Sequence, residues 1–212
     1  MSRYLSVGVD EAGRGPVLGP LVVAIVAATE EDRAWFELNN VRDSKIVPLK
    51  ERTRLAEEIR ARCWWRIRVT DPHDIDEAVR DKSRTLNGLE LECMASLLNE
   101  YRREHVDVPS RGLVDAPSRN TKDILNRLQA MCGWNDPHIL DAQNHADATS
   151  RTVGAASLIA KDERERLMEL LRQNVGEDLG SGYPSDPKTI AFMKKCPRDS
   201  KYVRWTWKTA MA

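Results

Sequence analysis

Residues 4–28 hold two runs that both read as β-strands, joined by a stretch rich in glycine and proline. Residues 4–10 alternate apolar positions with small or polar ones, and residues 20–28 are dense in Val, Leu, Ile and Ala. The glycine- and proline-rich connection predicts that the two strands pair antiparallel. The first run ends in adjacent carboxylates, Asp10 and Glu11, which open the segment DEAGRGP. An acidic pair at the mouth of a strand is costly unless a cation sits beside it. Glycines at 13, 15 and 19 let the main chain bend and approach a partner closely, and Arg14 stands between the first two. The segment therefore reads as metal-bound carboxylates beside a backbone-and-arginine grip on an anionic ligand.

Beyond this hairpin, helices are predicted over residues 30–38 and 49–61. A half-buried strand follows over 63–69, where Trp64, Arg66 and Arg68 alternate with Cys63, Trp65, Ile67 and Val69. Asp71-Pro72 starts another helix, proline being tolerated in a first turn. Leu86, Leu89, Leu91, Met94, Leu97, Leu98 and Tyr101 form a helical apolar stripe through 84–103. Short strands over 112–114 and 138–140 lead into Asp115 and Asp141, with a helix over 121–131 between them. Helices over 152–171 and 187–195 complete the pattern. Strands alternating with helices after an antiparallel hairpin define an α/β layer fold with a mixed sheet. Residues 1–175 are expected to form the main domain, and 176–212 a small helical appendage that contributes to substrate binding.

Charge and cysteine content narrow the class. Formal net charge is zero, but from Asp186 onward there are seven basic and two acidic residues, a local excess that attracts phosphates. The four cysteines include no Cys-x-x-Cys pair, which argues against a zinc site or disulfide scaffold and fits a reducing cytoplasm. No apolar run is long enough to span a membrane.

Asp10 and Asp115 each stand at the carboxyl end of a predicted strand, where active crevices of open α/β sheets form. A further acid, Asp141 or Asp147, follows the next strand. Converging carboxylates repel one another unless cations neutralise them. Oxygen-only donors suit a hard ion such as Mg²⁺ or Mn²⁺. Two such ions can activate a water and stabilise the leaving oxygen in phosphodiester cleavage. Trp64 and Trp65 read as core and edge packing, Trp205 and Trp207 as docking for the tail, and His145 as loop surface.

Several segments together carry a family resemblance. They are Asp10–Pro16 with Gly19-Pro20, then Asp43-Ser44-Lys45, Val114-Asp115, the run AASLIAK at 155–161 and the run GSGYPSDP at 180–187. With them the chain resembles ribonuclease HII, the type 2 ribonuclease H, and its ending RWTWKT at 204–209 is similar to the archaeal and eukaryotic branch. The resemblance implies an RNase H-like fold. It also implies an endonuclease that cuts the RNA strand of RNA/DNA hybrids and the 5′ side of single ribonucleotides in duplex DNA, leaving 3′-hydroxyl and 5′-phosphate ends. Its four carboxylate metal ligands fall on Asp10, Glu11, Asp115 and, by spacing back from AASLIAK, Asp147, with Asp141 as the competing position.

The same resemblance assigns substrate contacts. The Gly13-Arg14-Gly15 main chain would meet the 2′-hydroxyl, which is what separates RNA from DNA. Tyr183 would pack on the deoxyribose after the ribonucleotide. Ser44, Lys45 and Arg14 are expected at phosphates, which position a duplex without reading its sequence; Lys161 and Lys188 are weaker candidates. The implied work is removal of misincorporated ribonucleotides, and the chain is expected to act as a monomer. The rivals are another two-metal nuclease of the same fold, which would cut all-DNA duplexes, and a catalytically silent hybrid-binding module.

Overall fold

The computed structural model describes residues 4–41, 47–81, 83–134 and 138–211. Five strands form one mixed sheet: β1 (Leu5–Ala12), β2 (Leu21–Ala28), β3 (Trp64–Thr70), β4 (Ser110–Asp115) and β5 (His138–Gln143), in the spatial order β3-β2-β1-β4-β5. β1 pairs antiparallel with β2, and β2 with β3, while β4 lies parallel to both β1 and β5. The expected antiparallel hairpin is therefore present, and β1 is the central strand.

The helices cover both faces. α1 (Glu30–Leu38), α2 (Leu49–Arg62) and α7 (Arg151–Val175) lie on one side, and α4 (Leu86–Glu104) and α5 (Thr121–Cys132) on the other. Alternation along the strands sorts their side chains between two cores. Val7, Val9, Val23 and Ile25 pack with Leu91, Met94 and Leu98 of α4, while Val22, Ala24 and Val26 pack with Ala155, Leu158 and Ile159 of α7. β2 is buried along its whole length, as a strand covered on both faces must be. α7 lies so close to β1 that a Cβ on Gly8 would stand 2.4 Å from the main chain of Thr152. Only glycine permits that approach.

α3 (Pro72–Arg80) leads toward α4, and α6 (Ala146–Thr149) is a single turn between β5 and α7. After α7 come α8 (Pro187–Lys195) and the short α9 (Lys208–Met211), a last turn that the sequence pattern does not announce. This C-terminal stretch folds back onto the body. Val203 bridges Leu18, and Leu179, Phe192, Val203 and Ala210 share a core with Val17, Leu18 and Met168. Trp205 and Trp207 pack against that core, and Trp64 stacks edge-on to Tyr101 at 5.2 Å, so these tryptophans serve packing as expected. No helix among the described residues is long and apolar enough to cross a membrane.

Candidate active site

The parallel register of β1 and β4 sets Val9 opposite Val114, so the next residues, Asp10 and Asp115, leave adjacent strands side by side. Asp10 pairs across the hairpin with Ala24, and Glu11 with Val23. Asp10 therefore points toward α7, where it accepts a hydrogen bond from Ser157, and Glu11 points toward α4. The acidic pair straddles the end of the sheet. Even so, oxygens of Asp10, Glu11 and Asp115 all lie within 4.8 Å of one another.

These carboxylates line a cavity of about 350 Å³ together with Gly13, Arg52, Asp147, Lys161, Arg164, Ser181 and Tyr183. Asp147 is buried on α6, one residue after Ala146, whose N–H donates to Asp115 at 2.9 Å. His145 before it takes a left-handed conformation with φ 57°, uncommon for a residue with a Cβ. That bend turns the chain from β5 toward the cavity. Asp141 is exposed on β5, accepts from the N–H of Ala142 at 2.8 Å, and is not among the cavity residues.

Burial and mutual repulsion dominate the electrostatics of the carboxylate cluster. Burial, followed by Glu11 and Asp115, holds Asp10 well above the usual carboxylate range, against the opposing bond from Ser157. Burial, then Glu90 and Asp115, pushes Glu11 up to about 8. Glu11 also keeps a buried oxygen, Oε2, without a hydrogen-bond partner. A cluster of oxygen donors that repel one another, with one acceptor unsatisfied, fits a hard divalent cation. Asp10, Glu11 and Asp115 would hold it, with Asp147 at the cavity wall.

Glu90 is the residue that the motif reading missed. It is fully buried on α4, where burial lifts its carboxyl to about 7 and the Arg14 guanidinium pulls it back down. A signal was present: Glu90 stands four residues after Leu86 and four before Met94, an acid on the apolar stripe of its helix. Arg14, expected at a phosphate, turns its guanidinium to Glu90 and donates to Asn87 at 2.6 Å.

Gly13 takes φ 90° and is buried, while Gly15 is exposed beside the Tyr183 ring, its Cβ position 3.3 Å from the ring edge. Tyr183 itself is 45% exposed, open to a ligand rather than packed away. Lys161 lines the cavity, whereas Lys188 pairs with Asp178 at 2.5 Å outside it. Ser44 and Lys45, with Asp43, lie outside the described residues.

The sequence model of the ribonuclease HII family matches residues 7–210. Ribonuclease HII of Methanococcus maripaludis strain C6 is 36% identical over 213 residues, covering 99% of this chain and 87% of that protein. The crystal structure of ribonuclease H2 from Pyrococcus horikoshii OT3 is similar with a TM-score of 0.84 at 32% identity, covering 98% of this chain and 95% of that one. The Archaeoglobus fulgidus RNase HII, solved in complex with PCNA, is 37% identical with a TM-score of 0.78, covering 90% and 85%.

Proposed function

The chain belongs to the ribonuclease HII family and has its RNase H-like fold and its activity class, a hydrolytic type 2 ribonuclease H endonuclease; from that premise we propose its substrates and its working residues. It cuts the RNA strand of RNA/DNA hybrids and the phosphodiester 5′ to single ribonucleotides in duplex DNA, leaving 3′-hydroxyl and 5′-phosphate ends. The work is excision of misincorporated ribonucleotides. The observation that carries this reading is one cavity lined by the Asp10–Glu11–Asp115 cluster, the Gly13 main chain and the ring of Tyr183. Reaction and recognition groups thus face the same space.

Family members are metal-dependent, and here the ion is Mg²⁺ or Mn²⁺. Bound at the cluster, such ions supply charge neutralisation at the phosphate and lower the pKa of water. Asp10, Glu11, Asp115 and Asp147 hold and orient that charge. Asp10, fixed by Ser157 and by the N–H of Glu11 on its Oδ1 at 2.7 Å, contributes from the centre of the cluster.

The protein's own groups do the recognition. The glycines at 13 and 15 give the loop its close turn, with Gly13 at φ 90°, and the main-chain groups of Gly13, Arg14 and Gly15 meet the 2′-hydroxyl, which both donates and accepts. Tyr183 lies against a sugar that lacks a 2′-oxygen and so senses the junction from RNA to DNA. Ser44, Lys45 and Lys161 contact phosphates and place the duplex. Residues 176–212, basic at their end, act as a C-terminal segment that adds to substrate binding, and the enzyme works as a cytoplasmic monomer.

The test is a labelled DNA duplex carrying one ribonucleotide, beside all-DNA and all-RNA duplexes, with Mg²⁺, Mn²⁺ or EDTA. Cleavage only at the ribonucleotide, on its 5′ side and only with metal, is the expected result. Cutting of the all-DNA duplex would overturn it.

A further inference from the structure

The C-terminal RWTW segment is a motif with no part in the chemistry above, yet its arginine is among the largest fully buried side chains in the molecule. Arg204 donates to main-chain carbonyls of the glycine-rich loop: Nε and Nη2 to Gly19 at 3.0 and 2.8 Å, and Nη1 to Arg14 at 3.2 Å. Its neighbour Trp207 donates Nε1 to the carbonyl of Gly15 at 3.2 Å. The segment is itself anchored, because the buried Asp76 of α3 accepts from the N–H groups of Trp205 and Thr206 at 2.7 and 3.0 Å.

A second buried guanidinium reaches the same junction from α7. Arg164 of α7, 8% exposed, donates to Leu18 in the glycine-rich loop at 3.3 Å and to Ser181 in the next loop at 3.5 Å. Its side chain lies 5.9 Å from the Tyr183 ring and fills the space behind two glycines. A Cβ on Gly13 would meet Arg164 at 2.7 Å, and one on Gly182 would meet it at 3.2 Å. Main-chain bonds from Val17 and Leu18 to the Gly182 carbonyl, at 2.8 and 3.2 Å, close the junction.

Burying two guanidinium groups against neutral carbonyls is costly, and for stability alone well-packed apolar side chains serve as well or better. What a rigid fork of donors adds is fixed geometry between the carbonyls that it joins. We propose that Arg204 and Arg164 are positioning residues for ribose discrimination, setting the separation between the Gly13–Gly15 main chain and the Tyr183 ring. This inference rests on the reading of those two elements as the sugar sensor. A duplex enters with its ribose against the loop and its following deoxyribose against the ring, and both contacts form only if loop and ring keep their spacing.

The experiment compares wild type with R204K, R204Q, R164K and W207F. Each is measured for kcat and KM on a single-ribonucleotide duplex and on an RNA/DNA hybrid, for Mn²⁺ affinity by calorimetry, and for thermal melting. A displacement near 1 Å costs up to about 10²-fold in rate. The arginine variants are expected to lose about that much in kcat on the single-ribonucleotide duplex, with the ratio between the two substrates shifted and Mn²⁺ affinity preserved. Lysine, which cannot join two carbonyls rigidly, is expected to rescue stability but not selectivity. W207F removes one hydrogen bond and keeps the aromatic packing, so it stays informative if the buried arginine variants fail to fold; a smaller loss of the same kind is expected. Folded variants with wild-type selectivity, or losses matched by equal losses of Mn²⁺ affinity, would overturn the proposal. A wild-type enzyme that ignored the ribose would instead sink the functional reading beneath it.

Discussion

The guanidinium of Arg14 is engaged by the carboxylate of Glu90, a residue wholly buried on the helix that faces Glu11. The pair ties the glycine-rich loop to α4 and places a further acidic group behind the carboxylate cluster. Its arginine is 36% exposed by side chain and its glutamate not at all, an asymmetry with consequences for mutation.

Arg14→Ala strands a buried carboxylate, whereas Glu90→Gln leaves an arginine that can turn to water. Removing one partner of a buried pair costs roughly 3–5 kcal/mol, and this pair at the boundary falls below that range. Its carboxyl sits near 7 even with Arg14 present, so in R14A it protonates at neutral pH and limits the loss. R14A is expected to destabilise more than E90Q at pH 8 and to approach it at pH 6, and urea denaturation at the two pH values measures this.

Asp10→Asn is expected to reduce cleavage of the single-ribonucleotide duplex to background while the protein remains folded. Removing one of three mutually repelling acids relieves the metal-free site, so melting without metal is expected to be no lower than in wild type. Wild-type turnover in this variant would rule out the carboxylate cluster as the reaction centre.

Glu11 also links stability to pH. Its folded pKa of about 8 lies above the ordinary value of 4.5, so the metal-free fold binds the extra proton. That contribution is complete below the unfolded value and is lost as pH rises through about 8. A divalent cation competes with the proton, so its stabilisation grows over the same window. At 100 times Kd it amounts to about 2.7 kcal/mol, or roughly 5–11 °C in melting temperature for a chain of this size. Scans with Mn²⁺ and with EDTA should therefore diverge more at pH 8.5 than at pH 5.5.

Tyr183→Ala should separate recognition from stability. The ring is 45% exposed, and surface substitutions of this kind usually fall within about 0.5 kcal/mol. Base–aromatic stacking is worth about 1–3 kcal/mol by alanine substitution, and a ring packed on a sugar falls toward the lower end, so kcat/KM on the single-ribonucleotide duplex should fall about 5-fold or more with melting unchanged. Equal activity of the variant on that duplex would remove Tyr183 from the sensor.

Much of the fold was legible because local patterns and tertiary demands agreed. The β1–β2 hairpin followed from alternation, a dense β-branched run and a glycine-rich turn, and the apolar stripe of α4 followed from helical periodicity. Short elements were less legible. α6 and α9 are single turns held by their surroundings, too brief to carry a periodic signal. Within the site, Asp10, Glu11 and Asp115 were nameable from their strand ends and from the DEAGRGP segment. Glu90 was not, because its helix shows itself as an apolar packing stripe and a single acid on that stripe belongs to no motif.

By itself, the order of residues determined the alternation of strands and helices, the acids at strand ends, and the glycines that leave the main chain bare. Those are local properties, set by side-chain volume, polarity and backbone freedom within a few positions. Only the tertiary structure decided who meets whom. Parallel register carried Asp115 beside Asp10 across a gap of more than a hundred residues. α4 brought Glu90 under Arg14, and the returning tail set Arg204 against the loop. A guanidinium can serve phosphate, carboxylate or carbonyl equally well, so its role follows from which of them the packed chain places within reach.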